Sequence, residues 1–211
     1  MNYKAIIFDL DGTLVHTPQS YVKTCLEKTL AELGSSAVLT DEIIKEFWFY
    51  TGRNKIVENV FNLDVGTFWK NYRKNDKPDL RKRVSRAYKD TKIIGELRRR
   101  YRLGIVTGAE KAVAHAEMEL MGSGIFNSLI IAKQSEGIEP KPNPEGVYLC
   151  LKELGVESSE TIFVGNGGED IEAAKTAGVF DILIDRGEHP YIGLSPKRKI
   201  NSLGELQAFL D

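Results

Sequence analysis

Two aspartates, Asp9 and Asp11, stand two residues apart in the run Phe8-Asp9-Leu10-Asp11-Gly12-Thr13. They follow directly on Ala5-Ile6-Ile7-Phe8, an uninterrupted and partly β-branched apolar stretch that reads as a buried strand. Carboxylates at the end of a buried strand are costly unless a cation or hydrogen bonds compensate. The chemistry that suits this spacing is a metal-assisted active site at the carboxyl end of a parallel strand, where open α/β sheets place their ligands. Alone, the same residues also fit a simple turn.

Three later segments narrow the choice. The strand-like Leu103-Gly104-Ile105-Val106 ends in Thr107-Gly108. Lys141 stands within Pro140-Lys141-Pro142-Asn143-Pro144. Ile162-Phe163-Val164-Gly165 leads into Asn166-Gly167-Gly168-Glu169-Asp170-Ile171. A hydroxyl and backbone N–H groups at a strand end can hold phosphate oxygens, although a Thr-Gly pair is also an ordinary turn. Prolines on both sides of Lys141 fix its backbone, and Asn143-Pro144 reads as the cap and first turn of a following helix. With these segments in this order, the D-x-D-G-T run resembles the opening motif of the haloacid dehalogenase superfamily. The likeness spans essentially the whole chain, and the phosphoglycolate phosphatase type is the nearest in pattern.

That resemblance implies Mg²⁺-dependent hydrolysis of a small phosphorylated metabolite through an aspartyl-phosphate. Asp9 is then the nucleophile, and Asp11 the general acid and later the base. Thr107 and Gly108 hold phosphate oxygens, and Lys141 neutralises nucleophile and phosphate. Mg²⁺ is assigned to the Asp9 carboxylate, the Asp11 carbonyl and the last motif, through Asn166 and Asp170. Dehalogenases and phosphonate-cleaving relatives lack an aspartate at the position of Asp11, which favours phosphoester cleavage. The departure is Asn166, where relatives commonly carry an acidic residue. Its amide keeps an oxygen but no charge, so the ion should be held less tightly. Glu169 either compensates or only favours the first turn of its helix.

Two other functions stay open. A phosphomutase would retain both aspartates, although mutase relatives tend to carry a histidine in the region where this chain has Ser20-Tyr21. With a weakened metal site the chain could instead only bind a phosphorylated ligand or a protein partner.

The elements that must position these residues are legible from periodicity. Val22, Cys25, Leu26, Thr29, Leu30 and Leu33 recur at helical spacing after Thr17-Pro18, which reads as a cap and first turn. Thr40-Asp41-Glu42 opens a second helix, and further helices are predicted near residues 55–61, 65–72 and 78–88. From Asp90 onward, apolar runs at 103–106, 129–132, 162–164 and 182–184 alternate with amphipathic helices, which implies a parallel sheet with right-handed crossovers. The expected fold is α/β: a Rossmann-like parallel-sheet core from residues 1–15 and 87–211, with an inserted all-helical cap from 16–86. A cap closing over a phosphate site would exclude water.

In that cap, Thr51-Gly52-Arg53-Asn54 breaks the helical period where relatives carry a specificity loop. Arg53 reads either as a bidentate partner for a substrate carboxylate or second anion, or as a surface arginine beside a helix break. His16 reads as a hinge residue.

Bulk properties are those of a globular protein. The 211 residues are 28% charged and 42% hydrophobic with a net charge of −1, which gives no push toward nucleic acid or membrane. The basic runs Arg81-Lys82-Arg83 and Arg98-Arg99-Arg100 fall in amphipathic stretches and read as solvated helix faces. Cys25 and Cys150 are far apart and lack metal-ligand spacing, as expected of buried thiols in a reducing cytoplasm. Met1-Asn2-Tyr3-Lys4 runs straight into the first strand, so no signal peptide is expected, and no apolar run has membrane-spanning length. No sequence feature specifies an oligomeric state.

Overall fold

A computed structural model describes residues 3–49, 52–122, 124–191 and 193–210. The chain divides into two compact units, Met1–His16 with Arg86–Asp211, and Thr17–Ser85. It runs through β1 (Ala5–Phe8) and β2 (Val15–His16) into α1 (Gln19–Glu32), α2 (Asp41–Phe49), α3 (Arg53–Asn59), α4 (Val65–Asn75) and α5 (Pro78–Val84). It returns through β3 (Arg86–Ala87) and α6 (Ile94–Leu97) to β4 (Arg102–Thr107), α7 (Lys111–Met118), β5 (Ser128–Ile131) and α8 (Glu145–Leu154). Then come β6 (Thr161–Gly165), α9 (Gly168–Thr176), β7 (Phe180–Ile184), β8 (Arg198–Ile200) and α10 (Leu203–Leu210).

The first unit is built on a six-stranded parallel sheet of order β5-β4-β1-β6-β7-β8. Its central strands are apolar on both sides because both sheet faces are covered. Successive side chains alternate faces. Ile6 and Phe8 therefore join Leu103, Ile105, Ile162 and Val164 in one core layer, while Ala5 and Ile7 join Val147, Cys150 and Phe163 in the other. β2 and β3 form a separate antiparallel pair, Val15 with Ala87 and His16 with Arg86.

The helical unit has its own core. Val22, Cys25, Leu26 and Leu30 of α1 pack with Ile44, Phe47, Phe61, Phe68 and Tyr72. Phe47 stacks on Trp69 and meets Phe68 edge-on, with centroids 5.6 and 5.8 Å apart, separations at which aromatic pairs add to simple area burial. Thr40 Oγ1 accepts the Ile43 N–H at 3.3 Å, so α2 is capped as its sequence predicts.

Four expectations need correction. Arg81 is not on a solvated face: it is buried, with Nε on Asp76 Oδ1 at 3.0 Å and Nη2 on Asp76 Oδ2 at 2.6 Å. Thr17 does not cap α1: Pro18 precedes the helix without a side-chain cap, and the Thr17 hydroxyl instead meets Ser85 Oγ at 2.9 Å and Arg81 Nη1 at 3.3 Å. α5 stops at Val84 rather than near Tyr88, because Ser85 is extended and the next two residues pair with β2. The third strand of the sheet's sequence pattern, read at 129–132, is Ser128–Ile131. Thr51 lies outside the described residues. Among the described residues no helix is long and apolar enough to cross a membrane.

Candidate active site

The register brings three strand ends to one place. Phe8 pairs with Ile105 of β4 on one side and Val164 of β6 on the other. The chain therefore leaves β1 at Asp9 in the crevice where the strand order changes direction. The Asp9 N–H donates to the Val164 carbonyl at 3.0 Å. The backbone then turns tightly, with the Leu14 and Val15 N–H groups both on the Leu10 carbonyl at 2.9 and 3.0 Å, and the Gly12 N–H on the Val15 carbonyl at 2.7 Å. Gly12 has φ +76°, and a Cβ there would lie 2.1 Å from Asn166 Nδ2. Only glycine satisfies both the backbone and the space.

Lys141 is the hub of the site. Its Nζ donates to Asp9 Oδ1 at 2.7 Å, Asp170 Oδ1 at 2.5 Å and the Val106 carbonyl at 3.2 Å, which uses all three ammonium hydrogens. The side chains of Lys141, Asp9 and Asp170 are only 3%, 9% and 2% exposed. Asp170 lies in the first turn of α9, where its Oδ2 accepts the Gly167 N–H at 2.9 Å. Gly165 makes room for it: a Cβ there would come within 2.3 Å of the Asp170 side chain. Asn143 Oδ1 accepts the Glu145 N–H at 2.9 Å, which anchors the start of α8 just beyond Lys141.

The electrostatics follow from burying two carboxylates around one ammonium. Asp9 is pushed up to about 7, chiefly by burial and further by the charges of Asp170 and Asp11, with Lys141 pulling the other way. Burial disfavours the Lys141 charge, but Asp170, then Asp9 and Glu169, more than offset it and hold the ammonium well above its usual range. Among the described residues no three His, Cys, Asp or Glu side chains gather as a metal group. The oxygens at hand are two carboxylates with amide and carbonyl groups. That set suits Mg²⁺, which is usually held by one or two carboxylates and keeps several waters.

The other residues singled out by the sequence fall in four places. Asn166 follows β6 and is buried, and its Oδ1 accepts from the Thr13 hydroxyl at 3.2 Å. Thr107 ends β4 beside Val106, and its Oγ1 accepts the Ala109 N–H at 3.1 Å, with Gly108 between them at the strand end. Asp11 lies on the turn after β1, bridged to Val15. Arg53 belongs to the helical unit. There its Nη2 donates to the Trp48 carbonyl at 3.0 Å and its guanidinium carbon lies 5.9 Å from the Trp48 ring centroid.

Sequence reasoning missed the part played by Thr13. Its hydroxyl lies 3.2 Å from both Asp9 Oδ2 and Asn166 Oδ1, so one proton is shared between the first and last motifs. The only signal was its place at the end of D-x-D-G-T.

A family model described as haloacid dehalogenase-like hydrolase matches residues 6–184. The chain belongs to this family. Among curated relatives, the pyrophosphatase PpaX of Oceanobacillus iheyensis is 32% identical over 187 residues, covering 85% of this chain and 82% of the relative. A phosphoglycolate phosphatase of Aquifex aeolicus is 29% identical over 184 residues, covering 83% and 81%. The fold is shared with CbbY from Rhodobacter sphaeroides, solved in complex with phosphate, at a TM-score of 0.79 and 23% identity over 97% of this chain and 96% of that one. It is also shared with a haloacid dehalogenase-like family protein from Streptococcus pneumoniae, at a TM-score of 0.79 and 19% identity over 100% and 99%.

Proposed function

We propose that this haloacid dehalogenase-like hydrolase is a phosphatase that cleaves a small phosphorylated metabolite through an aspartyl-phosphate on Asp9. The observation that carries the reading is the buried Asp9–Lys141–Asp170 cluster at the end of β1. A carboxylate held against an ammonium at a strand crevice is oriented for attack on phosphorus, and the ammonium offsets the anionic substrate. Phosphatase and pyrophosphatase relatives support it.

Asp11 then protonates the leaving oxygen and later takes a proton from the attacking water. Thr107 and Gly108 bind phosphate oxygens at the end of β4. Asp9, Asp170, the Asn166 amide oxygen and the Asp11 carbonyl would hold Mg²⁺, which when bound supplies charge neutralisation for an oxygen-rich reactant. Two thiols without a disulfide, Cys25 and Cys150, agree with a cytoplasmic setting. The test is release of inorganic phosphate from a panel of phosphorylated metabolites and pyrophosphate, with Mg²⁺ and with chelator. An isomerised sugar phosphate without free phosphate would overturn the hydrolase reading in favour of a mutase, and no turnover at any Mg²⁺ concentration would leave a binding module.

Asn166 gives the reading a metal-specific consequence. An amide in place of a carboxylate removes one negative charge while keeping an oxygen of similar reach. Asn166→Asp is expected to lower the Mg²⁺ concentration for half-maximal activity about ten-fold, or ~1.4 kcal/mol of ion binding. The same shift should appear in the Mg²⁺ dependence of the thermal midpoint. An unchanged titration by both measures would mean that Glu169 and Asp170 already saturate the ion.

Arg53 supplies a prediction about selectivity. With one nitrogen on the Trp48 carbonyl, the rest of the fork is proposed to bind a substrate carboxylate. Arg53→Ala should raise KM for a carboxylate-bearing phosphate about ten-fold more than for an aryl phosphate, the mark of a lost remote contact. Equal effects on both substrates would assign Arg53 to the joint between α2 and α3.

A further inference from the structure

A second charged cluster grips the turn after β1 from the other side. Arg186 lies just past β7 with its side chain only 6% exposed. Its Nε and Nη2 both donate to the Thr13 carbonyl, at 3.2 and 2.6 Å. Its Nη1 donates to Asp90 Oδ2 at 2.6 Å, and its guanidinium carbon lies 4.0 Å from the Tyr88 ring centroid. Asp90 Oδ2 also accepts the Leu203 N–H at 2.9 Å, at the start of α10. All three guanidinium nitrogens are thus in use, on two partners, with the guanidinium lying over an aromatic ring. A lysine offers a single point charge and cannot reproduce that fork.

Glu188 extends the brace. Its Oε1 accepts from the Tyr88 hydroxyl at 2.6 Å and meets His16 Nδ1 at 2.5 Å. The segment 186–188 therefore holds Thr13, the β2 residue His16, and Tyr88 immediately after β3. β2 and β3 are where the chain leaves the sheet unit and re-enters it.

The Thr13 peptide matters because its side chain faces the opposite partners. The carbonyl is clamped by Arg186, while the hydroxyl is shared between Asp9 Oδ2 and Asn166 Oδ1. Moving the peptide moves the hydroxyl, and with it the hydrogen bond that orients the Asp9 carboxylate. Reactive groups must be held to within a fraction of an ångström for efficient attack.

We infer that Arg186 is a positioning residue for Asp9, acting through the Thr13 peptide. Its kinetic consequence rests on the phosphatase reading; its mechanical consequence does not. The variant to make is Arg186→Lys, which keeps a positive charge for Asp90. A double variant, Arg186→Gln with Asp90→Asn, removes both charges together, so that neither is left buried alone.

Hydrogen exchange of the Leu14 and Val15 amides, both bonded to the Leu10 carbonyl, reads the turn without reference to activity. In either variant those amides are expected to exchange about ten-fold faster or more, while amides of β4 and β6 keep wild-type rates. On an aryl phosphate, kcat should fall about ten-fold with KM within about two-fold of wild type. Unchanged exchange at Leu14 and Val15 overturns the inference, and so does faster exchange with unchanged kcat. A wild-type protein inactive on every phosphate would sink the phosphatase reading instead, and the exchange comparison would then decide the clamp by itself.

Discussion

Asp9→Asn is expected to lower phosphate release by roughly three orders of magnitude or more, ~4 kcal/mol of transition-state stabilisation, while the protein stays folded. The amide is nearly isosteric but is a poor nucleophile toward phosphorus. Stability should not suffer, because Lys141 keeps Asp170 at 2.5 Å and one of two mutually repelling buried carboxylates is gone. In chelator, the thermal midpoint of Asp9→Asn should lie at or above that of the wild type. This pairing separates the reading from a trivial one: an unfolded variant is inactive for reasons unrelated to chemistry. Near-native turnover by folded Asp9→Asn would rule out Asp9 as nucleophile.

Lys141→Met should do the opposite to stability. The ammonium serves two carboxylates and the Val106 carbonyl inside the protein. An apolar side chain of similar length leaves both acids buried and facing each other. Removing one partner of a buried ion pair costs about 3–5 kcal/mol. At roughly 2–4 °C per kcal/mol for a chain of this size, the midpoint should drop on the order of 10 °C, and turnover should be lost with it. Mg²⁺ should recover part of the drop, since a cation neutralises the same carboxylates, and chelator should abolish the recovery. A midpoint within about 2 °C of wild type would mean that Asp9 and Asp170 find other partners.

What was legible in the sequence was whatever depends on local pattern. Ala5–Phe8 was an apolar run that had to be buried on both sides, and β1 is that run. The alternation after Asp90 specified a parallel sheet, and Asp9, Thr107 and Asn166 all emerge at its carboxyl edge because consecutive parallel strands end on the same side. Elements with little pattern to display were not legible. β8 is the edge strand Arg198-Lys199-Ile200, with only Ile200 buried, so charge hides its strand character. β2 and β3 are two residues each, too short for any period.

Contacts across long separations were also invisible. The motif around Lys141 marks it as a neutralising charge, but its sharing between Asp9 and Asp170 spans 132 and 29 residues. Arg186 sits 173 residues from Thr13, in a loop with no motif around it. Its position before Pro18 marks Thr17 as a cap. It went instead to Ser85 and Arg81, because a buried hydroxyl takes the tertiary partners available to it.

The chemistry at Asp9 is most directly read by mass. Asp11→Asn protein mixed with an aryl phosphate and Mg²⁺, then quenched in acid within the first turnovers, should carry one added phosphoryl group. An aryl leaving group departs without help, whereas the second displacement still needs Asp11 as base. Peptide mapping should place the group on Asp9, and the Asp9→Asn variant should carry none. Phosphate release at a normal rate with no adduct on any peptide, or an adduct on a residue other than Asp9, would contradict the mechanism proposed for this site.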